Sequence, residues 1–167
     1  VITTGKRGVE NLPSPAQLKA RGIEFYQTER GGLATWHGPG QLMAYLLVRA
    51  GSRGLGVRGM VCAVENAIIQ WLQTQGVDAS RRSGHPGIWA GGDKICALGL
   101  HFRRGVSMHG LALNLCPELA QFELIDPCGI TDAGVTSLEE LTGTRLPACE
   151  VAPQLGEHLA RALSGAG

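Results

Sequence analysis

GIWAGGDKICALGLHFRRGVSMHGLALNL, residues 87–115, reads as three strands separated by two turns. The strands are 87–90, 94–102 and 106–115, and the turns are Gly91-Gly92-Asp93 and Arg103-Arg104-Gly105. Glycine at both turns supplies the backbone freedom that tight hairpins need, so the stretch predicts a run of antiparallel strands. Upstream, Val57, Val61, Val64, Ile68 and Trp71/Leu72 recur at helical spacing and Gly76 follows as a stop, which predicts a helix over 58–75 that packs on the sheet. Downstream, Thr136-Ser137-Leu138-Glu139 matches a capping box, opening a short helix at 137–141 that Gly143 ends. A last amphipathic helix near 150–163 carries Val151, Leu155, Leu159 and Leu163, with Pro153 tolerable only in its first turn. Short helices alternating with clustered antiparallel strands give the α+β class.

The first half is built from shorter pieces. Residues 1–4 read as a strand, and Ser14 and Pro15 open a short helix that Gly22 closes. Residues 23–28 form a strand feeding Arg30-Gly31-Gly32, 33–37 lead into Gly38-Pro39-Gly40, and 41–48 form another strand before a polar link at 49–53. Two glycine turns around one segment fit a plain hairpin and fit equally a backbone that comes close to a ligand and offers it N–H donors. Gly54-Leu55-Gly56-Val57-Arg58-Gly59 matches the dinucleotide fingerprint, but five residues separate it from the preceding strand, where such a site needs its first glycine on the strand end.

With 167 residues the chain fits one domain with a substantial core. Charged residues make up only 17% and the formal net charge is +1, which excludes the broad basic footprint of a nucleic-acid binder. The longest apolar run, 42–48, is too short to span a bilayer, and no signal-like segment opens the chain. The chain starts at Val1, already in a strand, so the expectation is a domain over 1–167 that lacks its natural start. Five cysteines (Cys62, Cys96, Cys116, Cys128, Cys149) without a C-x-x-C pair read as reduced thiols, and neither structural zinc nor another metal is expected.

Among those thiols Cys128 stands apart, between Pro127 and Gly129 on constrained, irregular backbone that favours presentation to a substrate over packing. Lys94, at the root of a strand beside a glycine turn, is either an ordinary solvated lysine or an ammonium held in place. His109 sits inside a strand before Gly110 and is either a satisfied core histidine or a ligand contact.

Four segments together carry a resemblance: residues 30–41, RGGLATWHGPGQ; Lys94-Ile95-Cys96-Ala97-Leu98-Gly99; His109-Gly110-Leu111-Ala112-Leu113-Asn114; and Pro127-Cys128-Gly129. In this order they resemble the lipoyl(octanoyl) transferases, over about residues 1–141. The resemblance implies a mixed, largely antiparallel sheet flanked by helices, as in lipoate and biotin protein ligases. It implies an enzyme that takes octanoyl from acyl carrier protein and places it, through a cysteine thioester, on a lysine of lipoyl domains. The acceptors would be the lipoyl domains of 2-oxoacid dehydrogenase complexes and the glycine cleavage H protein, with no cofactor, nucleic acid or membrane involved. The setting would be the cytoplasm, or the mitochondrion in a eukaryote. By motif matching Cys128 is the nucleophile and Lys94 tunes it. The acyl group would lie against Arg30, Gly31, Gly32, Leu33, Ala34, Thr35, Trp36 and His37, against Ala97, Leu98 and Gly99, and against Gly110, Leu111 and Ala112. Leu46 follows Tyr45 where the family often has proline, a departure that touches a strand and not the chemistry.

An octanoyl thioester is already activated, which accords with the absence of a G-x-x-x-x-G-K-[ST] phosphate loop from the sequence. The alternatives are an adenylating ligase of the same fold, which needs no nucleophilic cysteine, and a non-catalytic module that only binds a carrier or lipoyl domain.

Overall fold

Sheet and helix alternate along the chain as the turn chemistry predicts. The computed structural model describes residues 1–6, 12–50, 54–125 and 133–164. The first half holds β1 (Ile2–Thr4), α1 (Pro15–Ala20), β2 (Phe25–Gln27), β3 (Ala34–Trp36), β4 (Gln41–Tyr45) and α2 (Gly56–Thr74). The second holds β5 (Ala79–Arg82), β6 (His85–Ala90), β7 (Asp93–Arg103), β8 (Val106–Asn114), a 3-10 turn (Leu119–Leu124), α3 (Leu138–Thr142) and α4 (Ala148–Leu163).

The strands divide into two sheets. One is five-stranded, in the order β4-β8-β7-β6-β5, with every neighbour antiparallel. The other, β2-β1-β3, is mixed, β1 running parallel to β2 and antiparallel to β3. A main-chain bond from Gly31 N–H to Leu100 O, 3.3 Å, links the loop before β3 to β7 of the larger sheet.

Helices α2 and α4 cover the larger sheet. Met60, Val64, Ile68, Trp71 and Leu72 of α2 interlock with Val151, Leu155, Leu159 and Leu163 of α4 and with Ile88, Ile95, Leu111 and Leu113 of the strands. Each such side chain removed from water contributes ~1.5–3 kcal/mol, so this layer dominates the stability. A second core, Ile2, Leu18, Ala34, Trp36, Phe122 and Ile125, backs the small sheet.

Several expectations are corrected. Strand β5 has no apolar alternation, and pairing to β6 and one side chain hold it: Arg81 reaches α2, donating to Glu65 Oε2 (2.5 Å), Asn66 Oδ1 (2.7 Å) and Cys62 O (2.9 Å). That guanidinium compensates the buried carboxylate of Glu65, whose burial would otherwise be costly. The cap of α3 is Ser137, accepting from Glu140 N–H at 3.1 Å, one residue later than the capping-box reading, because the Thr136 backbone is engaged by Lys94 and Asn114. Pro153 lies in the interior of α4, beyond the first turn. The strand expected over 41–48 ends at Tyr45 by regular pairing. Ser14 and Pro15 do open α1, with a full capping box to Gln17.

Candidate active site

Residues from both sheets wall a cavity of about 1020 Å³. Thr3 of β1, Tyr26 of β2, Ala34 and Thr35 of β3, and Met43 to Tyr45 of β4 line it, with Val57 and Val61 of α2 at one side. The middles of β7 (97–100 and Phe102) and β8 (109–112) complete it. Its walls are mainly aliphatic side chains and glycine backbone, the materials of an acyl-chain site.

The residues expected to hold the acyl group fall largely on this wall: Arg30 to Thr35, His37, 97–99 and 110–112, together with Lys94. Trp36 alone of that set turns the other way. Its ring is buried in the second core, edge-on to Phe122 with centroids 5.3 Å apart. Cys128, with Pro127 and Gly129, lies outside the described residues. The sequence reading did not assign Thr3, Tyr26, Met43 or Phe102 to the site, and it placed Val57 in the packing stripe of α2; only the folding of the two sheets and α2 together collects them.

Arg30 braces the glycine segment. Its Nη2 donates to Thr3 O at 2.7 Å, its Nη1 to Gly31 O at 2.9 Å and its Nε to Thr3 Oγ1 at 3.2 Å. Gly110 is required by packing as well as by the cavity, since a Cβ there would fall 1.8 Å from Ala44 O and force β4 off β8. Among the described residues neither glycine turn closes a plain hairpin: β2 and β3 each pair with β1 and not with each other, and β3 and β4 belong to different sheets; Gly31, Gly32 and Gly38 line the cavity.

Lys94 is not the solvated strand-end lysine of the ordinary case; it is 7% exposed. Its Nζ lies 4.9 Å from the centre of the Trp89 ring. On its far side β7 receives the segment that follows residue 132: Lys94 N–H donates to Gly134 O at 3.1 Å and Thr136 N–H to Lys94 O at 3.0 Å. Asp93 Oδ1 accepts from Gly134 N–H at 2.7 Å. A polar chain continues inward, with Asn114 Nδ2 donating to Thr136 O at 2.9 Å and Gln41 Nε2 to Asn114 Oδ1 at 2.8 Å. Gly38 N–H then donates to Gln41 Oε1 at 3.3 Å, so the chain runs from the Gly38-Pro39-Gly40 turn to the backbone beside Lys94.

Two of the histidines that line the cavity, His37 and His109, are held below the ordinary range. For His37 the main cause is burial; a hydrogen bond with Gln41 works the other way, and the Arg30 charge lowers it further. Among the described residues its Nδ1 is buried without a hydrogen-bond partner. For His109 burial again leads, followed by the charges of His101 and Arg30, with Glu29 opposing. His109 also has φ +60°, a strained conformation for a residue with a Cβ. Cys96 is pushed far up by burial, which outweighs the downward pull of Lys94, so it stays a neutral, inert thiol. Cys62 and Cys149 are exposed on α2 and α4, and among the described residues no cysteine lines the cavity.

The family profile of the lipoyl protein ligase A/B catalytic domain matches residues 1–160. An octanoyltransferase of Alkaliphilus metalliredigens is 44% identical over 146 residues, 86% of this chain and 67% of that protein. An octanoyltransferase of Bacteroides fragilis is 42% identical over 98% of this chain and 77% of its own length. The chain belongs to the octanoyltransferase family. A mitochondrial octanoyl-acyl-carrier-protein:protein N-octanoyltransferase of Danio rerio is 42% identical over 94% of the chain and 70% of that relative. Among solved structures, lipoate-protein ligase A bound with ATP superposes with TM-score 0.75 at 18% identity, over 97% of this chain and 68% of that one. A lipoate protein ligase of T. acidophilum with bound lipoic acid gives 0.74 at 18%, over 97% and 68%. These likenesses establish that the octanoyltransferase family member shares the ligase fold, and the adenylating alternative gains nothing further from them. No helix among the described residues is long and apolar enough to cross a membrane.

Proposed function

We propose that the chain takes an octanoyl group from acyl carrier protein, holds it as a thioester on Cys128, and delivers it to a lysine side chain of a lipoyl domain. The observation that carries this is the burial of the Lys94 ammonium in the wall of an apolar cavity, in a member of the octanoyltransferase family. The Cys128 thiolate attacks the donor thioester carbonyl; the new C–S bond forms, the old one breaks, and the carrier's thiolate leaves and takes up a proton. The acceptor lysine, neutral when it attacks, then forms the amide as the Cys128 sulfur leaves, and its surplus proton passes to a base. Splitting the transfer lets two bulky partners use one site in turn.

An ordinary thiol with pKa about 8.5 is only about a tenth ionised near pH 7.5, whereas a pKa lower by about two makes it mostly thiolate, a change worth ~2.7 kcal/mol. A neighbouring ammonium stabilises the charged sulfur, which is the task assigned to Lys94. The cavity supports the acyl assignment of Arg30 to Thr35, His37, 97–99 and 110–112. The acceptors assigned are the lipoyl domains of 2-oxoacid dehydrogenase complexes and the glycine cleavage H protein, and the setting is the cytoplasm, or the mitochondrion in a eukaryote.

The test is peptide mapping by mass spectrometry after treatment with octanoyl-acyl carrier protein without acceptor. A hydroxylamine-labile octanoyl group on Cys128, absent from Cys128→Ser, is expected. A label on Cys62, Cys96, Cys116 or Cys149, or transfer that requires ATP and passes through an acyl-adenylate, would overturn the assignment.

A further inference from the structure

We propose that Trp89 is a positioning residue for Lys94: a β-bulge turns its indole toward the lysine, and the ring face holds the ammonium at the cavity wall. The inference rests on Lys94 acting in transfer as described above.

The register between β6 and β7 steps from Ile88↔Cys96 to Trp89↔Lys94, so β7 carries one extra residue, Ile95, and Trp89 stands directly opposite Lys94. Directly opposed residues project to the same side of a sheet, and a bulge is the usual device for re-aiming a side chain. Without the extra residue Trp89 would face Ile95 and the lysine would lose its platform. The ring itself is fixed. It is 5% exposed, and its Nε1–H donates to His85 O at 3.1 Å.

Gly87 clears the path for the lysine stem. Its φ is +122°, and a Cβ there would lie 2.5 Å from Cys96 O and 3.4 Å from Lys94 Cε, so the stem crosses bare backbone to reach the indole. The resulting distance of 4.9 Å from Nζ to the ring centre is within the range of a cation–π contact. Arg82 approaches the same ring with its Cζ 5.0 Å from the centre. A lysine otherwise loses substantial rotamer entropy when it is held in one place. The indole face, kept out of water, compensates that cost without removing the charge, which is what a group that acts by its charge needs.

The experiment compares wild type, Trp89→Phe, Trp89→Leu, Lys94→Ala and the double variant Trp89→Leu/Lys94→Ala. It measures the pH midpoint of Cys128 alkylation and the single-turnover rate of acylation by octanoyl-acyl carrier protein. Trp89→Leu is expected to raise the midpoint toward that of Lys94→Ala and to slow acylation about tenfold with KM for the carrier unchanged; Trp89→Phe, which keeps a ring face, should stay within about threefold of wild type. The double variant should be no slower than Lys94→Ala. Global replacement of tryptophan by 5-fluoro- and 5,7-difluorotryptophan, which weakens the ring's attraction for cations at nearly constant shape, should raise the midpoint in steps and serves even if Trp89→Leu does not fold. A Trp89→Leu or fluorinated protein with the wild-type profile, beside a shifted Lys94→Ala, overturns the positioning role and leaves the Lys94 assignment standing. Effects that multiply in the double variant overturn it as well. A Lys94→Ala protein with the wild-type profile overturns both.

Discussion

Replacing Asn114 by alanine severs the polar chain at its buried centre. The Asn114 side chain is 4% exposed, and it both accepts from Gln41 Nε2 and donates to Thr136 O. Removing it strands two partners. The carbonyl of Thr136, a residue 4% exposed, loses its buried donor, at a cost of ~1–3 kcal/mol; Gln41, half-buried, can turn toward water and adds less. The sum is roughly 2–4 kcal/mol, and at about 2–4 °C per kcal/mol for a chain of this size the melting temperature should fall by roughly 4–16 °C. Urea unfolding with an unchanged m-value would confirm a loss of stability and not of compactness. Because Thr136 N–H donates to Lys94 O, amide exchange at Thr136 should quicken by more than at Leu113 in the neighbouring core. Gln41→Ala should cost less than Asn114→Ala. A loss below about 0.5 kcal/mol, or unchanged exchange at Thr136, would show that the chain contributes nothing and refute the reasoning.

Lys94→Ala should raise the pH midpoint of Cys128 alkylation, while Lys94→Arg keeps much of the charge effect yet fails in aminolysis if a neutral amine must take the acceptor's proton; stopped-flow alkylation and single-turnover transfer separate the two roles. Gly110→Ala places a Cβ 1.8 Å from Ala44 O, so β4 must leave β8 and the fold should lose about 3 kcal/mol or more by denaturant titration. Burial holds the His37 pKa below the ordinary value of about 6.5, so the unfolded chain binds the extra proton first: stability contributed by the neutral ring is present above about pH 6.5 and is lost as pH falls toward the folded value. In His37→Gln, the fall in melting temperature between pH 7 and 5 should be smaller than in wild type. Pro153→Ala restores a main-chain donor inside α4 and should raise stability by ~1–3 kcal/mol, read as a higher urea midpoint.

Much of this architecture was legible because its signals are local. The hairpin turns at 91–92 and 104–105 and the Ser14 cap are each decided by a few neighbouring residues and appear where the pattern puts them. The α2 stripe holds from Val64 to Leu72, while Val57 and Val61 at its start line the cavity and leave the core to Met60. β5 was invisible because a polar strand, held by its neighbour and by Arg81 reaching across to α2, carries no periodicity of its own. The α3 cap slipped by one residue because two hydroxyls competed and long-range bonds to the Thr136 backbone decided between them. At the site, motifs singled out the glycine segments and Lys94, and the cavity gathers them. Motif membership could not tell Trp36, which turns into the second core, from Thr35 beside it, because alternation along a three-residue strand decides which one faces the cavity.

The segment from Gly134 to Ser137 has consequences for how this chain tolerates changes in length. Gly134 is held at both its N–H and its carbonyl, Thr136 likewise at both ends, and Ser137 caps the next helix. Four consecutive positions therefore contain no slack, and one residue added among them would reverse which side chains meet β7 and dislodge the cap of α3. The β7–β8 turn at Arg104-Gly105 is different, because both residues are exposed and a few more would cost only a small increment of closure entropy. Insertions, tags or grafted epitopes belong at the second place, and the first sets a fixed count that any recombination with a related chain must keep.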